Sequence, residues 1–74
     1  MKYIVIEIQK FADGTVAIPA PATYNTYLSA VAAYHTILAS AAVSAVPVHS
    51  AIILTDVGQQ IAMETYDKTE SANA

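Results

Sequence analysis

The chain has 74 residues, 55% hydrophobic and 12% charged, with a net charge of −3 and no cysteine. Its length sets one domain and its composition excludes a disulfide or a thiolate metal site. Three basic side chains in all, Lys2, Lys10 and Lys68, exclude the basic patch that duplex nucleic acid requires. A chain this short buries only about 60% of its unfolded surface, and ordinary domains carry about 25% charged residues. So much apolar surface on so small a chain predicts a homo-oligomer.

Lys2 to Lys10 alternates, with Ile4, Ile6 and Ile8 on one face and Tyr3, Val5, Glu7 and Gln9 on the other. Period two with β-branched residues predicts a strand, and the isoleucine face is the natural one to pack on a helix. Glu7 interrupts the apolar run and no cleavage site follows, so the opening residues do not read as a signal peptide. Asp13-Gly14 supplies a hairpin turn. Thr15 to Ile18 then reads as a short edge strand stopped by Pro19 and Pro21, and Ala20 to Tyr24 as a connector.

No Asp, Glu, Lys or Arg occurs between Gly14 and Thr55. Within that run, Tyr27 to Val46 predicts one long helix, capped by Asn25 or Thr26. One stripe carries Leu28, Val31, Ala32, His35, Leu38 and Ala42, and a neighbouring one Tyr27, Ala30, Tyr34, Ile37 and Ala41. The first is expected on the sheet and the second against another subunit, because a helix apolar nearly all round is a buried helix. The helix approaches the length of a membrane span. Its interruption by Ser29, His35, Thr36, Ser40 and Ser44, and its alanine content, argue against insertion. A cytoplasmic location is expected.

Pro47 ends the helix. Val48 to Thr55 reads as a central strand covered on both faces. Asp56-Val57-Gly58 is a turn, and Gln59 to Tyr66 alternates again, with Ile61 and Met63 opposite Gln60, Ala62, Glu64 and Tyr66. Residues 1–66 thus form a single α+β domain, β-β-α-β-β, an antiparallel sheet with one helix across a face. Asp67 to Ala74 reads as a disordered tail.

Chemistry-bearing residues are sparse. The five tyrosines suit interfaces, and they also stack on nucleobases. His35 lies mid-helix and His49 on the following strand. Each suits either a packed, satisfied histidine or a ligand contact. Two histidines without cysteine fall short of a zinc site, so neither metal nor cofactor is expected. Serines in the helix have no Gly-x-Ser-x-Gly elbow around them, and both glycines sit in turns rather than a phosphate loop. No nucleophile–base spacing is present, which points away from an enzyme.

MKYIVIEIQ at the start, the Asp13-Gly14 turn, YHTILASAAVSAVPVHSAIIL at residues 34–54 and the Gly58 turn together resemble a group of very small proteins encoded by phages and prophages of Gram-positive gut bacteria. Tyr34-His35 and Pro47-Val48-His49 carry the likeness. Relatives begin the helix with charged residues where TYLSAVAA stands here. The resemblance implies one of two roles. One is that of viral sponge proteins, symmetric oligomers that sequester a nucleotide signal of host defence. Tyr34, His35, His49 and Tyr27 would then line the ligand site, with tyrosine stacking a base and histidine bonding base or phosphate. The other is a structural or accessory part of phage assembly.

Overall fold

The computed structural model describes residues 1–71. It is an α+β fold: an antiparallel sheet crossed on one face by a single long helix. The elements run β1 (Tyr3–Lys10), β2 (Val16–Ala17), β3 (Ala22–Tyr24), α1 (Tyr27–Val43), β4 (Val48–Thr55), β5 (Gln60–Asp67) and a short α2 (Lys68–Ser71). β4 is central, between β1 and β5, while β2 and β3 pair in turn with the far side of β1.

The local chemistry explains most boundaries. Phe11 N–H donates to Thr15 O at 2.8 Å and Thr15 N–H to Asp13 Oδ1 at 2.9 Å, closing the first hairpin. Gly14 sits at φ 90 and Gly58 at φ 86, the left-handed region that favours glycine. Thr26 caps α1, its Oγ1 accepting from Ser29 N–H at 3.2 Å. The helix ends at Val43, and Ser44 turns to extended geometry ahead of Pro47. It is shorter than expected at its C-terminal end for that reason.

Three expectations are corrected. Ala22–Tyr24 is a strand, not a connector: past Pro21 the chain returns to pair Ala22, Thr23 and Tyr24 with Val5, Ile4 and Tyr3. The buried helix stripe lies between the two expected ones, taking Leu38 from the first and Ala30, Tyr34 and Ala41 from the second. Ala30, Tyr34, Leu38 and Ala41 are buried, whereas Leu28 is 76% exposed and His35 is exposed. Alanines at 30 and 41, both fully buried, let the helix backbone close on the sheet, and Tyr34 fills the space between them.

The third correction concerns the sheet face. The helix packs on Val5, Ala51 and Ile53, with Tyr3, Ala62 and Tyr66 beside them. Residues opposed across strands share a face. Tyr3, Val5, Glu7 and Gln9 therefore lie under the helix, and Ile4, Ile6 and Ile8 lie on the open face. Strand pairing puts Ile4 beside Leu54, and Ile6 beside Ile52 and then Met63, on that same open face. β4 is central as expected, but only its His49, Ala51, Ile53 and Thr55 face is buried, because one helix covers one face.

At the end of the chain, β5 runs through Asp67. Lys68 N–H donates to Pro47 O at 2.8 Å and its Nζ to Ser44 O, anchoring α2. This differs from the tail expected from Asp67; the rest of that tail, 72–74, lies outside the described residues.

Candidate functional site

β1 places Glu7 and Gln9 two residues apart on the helix-covered face, and β4 sets His49 beside Gln9 in the same row. Glu7 Oε2 accepts from Gln9 Nε2 at 3.0 Å and meets His49 Nδ1 at 3.3 Å. An ionised carboxylate only accepts, so in this contact Nδ1 carries the proton. His49 is 4% exposed. Its Nε2 is buried with no hydrogen-bond partner among the described residues. The Glu7 side chain keeps 21% of its surface accessible. It reaches that surface because β1 loses its neighbour there. β2 pairs only with Gln9 and Lys10, and β3 only with Tyr3, Ile4 and Val5. Between them the chain loops outward through Pro19 and Pro21, neither of which can donate to a ladder.

The gap opens into a cleft of about 400 Å³. Val5, Ala22 and Tyr24 form the sheet side, Ala33, Thr36 and Ile37 the helix side, and Pro19 and Ala20 the rim, with Glu7 among them. Thr36 Oγ1 donates to Ala32 O at 2.9 Å, leaving its lone pairs to accept. Among the described residues, no lysine or arginine lines this cleft.

The residues expected at a site are dispersed. Tyr34 is buried in the core, and burial pushes its phenol above the usual tyrosine value of 10.0, with Glu64 and Tyr66 adding to the shift. His35 is exposed and meets the Tyr34 ring edge-on at 5.5 Å. Tyr27 is 45% exposed and rests edge-on against Tyr3 at 5.7 Å. That contact lies at the opposite end of β1 from Gln9 and His49, about 20 Å away at the rise of a strand. Tyr34 and His35 are thus brought together, His49 is placed with Glu7 instead, and Tyr27 stands apart.

Sequence reasoning misses Glu7, Gln9, Tyr24 and Thr36 as site residues. The available signal is Glu7 itself, a carboxylate alternating with the apolar Tyr3 and Val5 and followed by Gln9 on the same face. Among the described residues no three metal-ligating side chains cluster, and no helix is long and apolar enough to cross a membrane. Comparison with family models, curated proteins and solved structures finds no match, so the site is read from its own geometry.

Proposed function

We propose that this protein is a non-enzymatic homo-oligomer that assembles through its open sheet face. One observation carries this reading: the sheet face away from the helix is as rich in large aliphatic side chains as the face under it. Under the helix lie Tyr3, Val5, Ala51, Ile53, Ala62 and Tyr66, with Glu7, Gln9 and His49 among them. On the open face lie Ile4, Ile6, Ile8, Ile52, Leu54 and Met63. Within β1, β4 and β5 the charges on the open face are Lys10 and Asp67, both in the last row beside Val48. Ser50 and Thr65, hydrogen-bonded to each other at 2.8 Å, stand in the Ile8 row of this face; a sheet face this rich in large aliphatic side chains is normally covered by a second sheet.

A second copy of the chain fits this face best. A two-fold axis parallel to β4 lays β4 on β4 and β1 on β5. Ile52 then meets its own copy, Ile6 meets Met63 of the partner subunit, and Lys10 meets Asp67 of the partner subunit on both sides. Such self-complementarity is what a two-fold interface requires. In the single chain the Asp67 carboxylate accepts from Thr69 N–H at 3.0 Å and from the Thr69 hydroxyl.

Sedimentation velocity of charge variants tests this arrangement. Lys10→Asp and Asp67→Lys should each weaken the oligomer, and the double exchange should restore it. A double exchange no tighter than either single variant would refute the two-fold pairing.

A second reading, capture of a small ligand as sponge proteins do, is favoured by the cleft beside Glu7. For a nucleotide, its apolar walls suit the base; no cation there meets a phosphate. Together with the resemblance to phage-encoded proteins, this reading places the protein in the host cytoplasm. The assembly-only role predicts that the cleft stays without a ligand.

A further inference from the structure

The cleft has one carboxylate in an apolar setting, and its two oxygens are in different situations. Glu7 Oε2 is held by Gln9 Nε2 and His49 Nδ1. Glu7 Oε1 has no hydrogen-bond partner among the described residues. We propose that the cleft binds a small organic cation, a primary ammonium on a short apolar body, with Glu7 Oε1 as its anionic partner. The inference rests on the ligand-capturing reading and not on the assembly.

The chemistry follows from the lining. Val5, Ala22, Ala33 and Ile37 offer aliphatic walls to an alkyl or aryl body. Thr36 Oγ1 and the Tyr24 hydroxyl have lone pairs to accept further N–H donors of an ammonium, which carries three. Gln9 and His49 hold the carboxylate in place, so little side-chain freedom is lost on binding. The same features select against an anion. A carboxylate or phosphate brought into the cleft would face Glu7 with no lysine or arginine on the lining to offset it. The chain's net charge of −3 adds a weak attraction for cations at long range.

Hexylammonium, hexanol and hexanoate form a matched probe series, alike in the tail and different in charge. Each is titrated into the full-length protein, followed by amide chemical shifts of Ala22, Ala33, Thr36 and Ile37. Adenosine monophosphate is a fourth arm.

Hexylammonium should move those resonances and bind about tenfold tighter than hexanol, the scale of a hydrogen bond to a charged group. Hexanoate should not bind. Glu7→Gln should remove the preference for hexylammonium over hexanol. Ala33→Leu, which fills the cleft and leaves the carboxylate in place, should abolish both. Melting curves confirm that each variant is folded. Equal binding of hexylammonium and hexanol would overturn the cation assignment and leave the ligand-capturing reading standing. Tighter binding of adenosine monophosphate than of hexylammonium would do the same. If no member of the series shifts the cleft resonances, both fall.

Discussion

Glu7 and His49 are both polar and both placed under the helix. Removing Glu7 leaves the buried His49 ring without its partner, which is more costly than the net value of the bond, whereas Glu7 without His49 keeps Gln9 and its accessible surface. Glu7→Ala should therefore lower unfolding free energy by about 2 kcal/mol or more, read from denaturant melts. Glu7→Gln keeps an acceptor oxygen and should cost less than that. Tyr34 carries a pH signature. Its phenolate is disfavoured in the fold by burial, so its ionisation lies above 10.0 when folded. A raised value means full stability below the unfolded value, lost as pH rises through the folded one. Stability should therefore fall on the alkaline side of pH 10, and Tyr34→Phe should flatten that fall. An alkaline melting series comparing the two proteins decides it; identical slopes would show that Tyr34 does not carry the effect.

Each element has a local anchor that a single substitution removes. Thr26→Ala takes the cap from α1 and should cost about 1 kcal/mol, a fall in Tm of about 4–8 °C for a domain of this size. At Gly14 and Gly58 an added Cβ would meet nothing within 4 Å, so Gly→Ala at either site tests backbone strain alone. About 1 kcal/mol of destabilisation is expected at each. Strands β1, β4 and β5, both turns and the helix are legible in the sequence, because period-two alternation, Asp-Gly and Pro47 are strong local signals. β3 is not, since Ala22-Thr23-Tyr24 follows two prolines and is held only by pairing to β1. The helix face is not legible either. With alanine on every side, the larger Leu28 and Val31 outweigh Ala30 and Ala41, whose small size is the reason they are buried. The sheet face is misread separately: alternation groups Ile4, Ile6 and Ile8 as the more apolar set, so they are expected under the helix and the mixed Tyr3, Val5, Glu7 and Gln9 set opposite. The candidate site is lost with that: His49 is in view, but its partner Glu7 falls on the face expected away from the helix.

On the scale of the whole molecule, one helix and one sheet make two layers, and the chain spans 40 × 20 × 17 Å. Two layers have three surfaces to satisfy: the helix–sheet core, the outer helix and the outer sheet. The core takes Val5, Ala30, Tyr34, Leu38, Ala51 and Ile53. The outer sheet is left with isoleucine, leucine and methionine, and the outer helix with Leu28 and Val43, 76% and 87% exposed. The excess of apolar residues in the composition is thereby located: half-buried Ile4, Ile6, Ile8, Ile52 and Leu54 with exposed Met63 on the sheet face opposite the helix, and exposed Val16, Ile18, Leu28, Val43 and Val57 on the edge strand and its flank, the helix and a turn. The ligand cleft opens on the helix side, between β3 and α1, so assembly through the outer sheet leaves it accessible. Light scattering of the wild type and Ile52→Lys tests the central claim most directly. Ile52 lies mid-face on β4, where a lysine in an isolated subunit would point to water. We expect an oligomeric wild type, and an Ile52→Lys variant that is monomeric with its helix and sheet intact by circular dichroism. A monomeric wild type at micromolar concentration, or an Ile52→Lys variant of unchanged mass, would contradict assembly through this face.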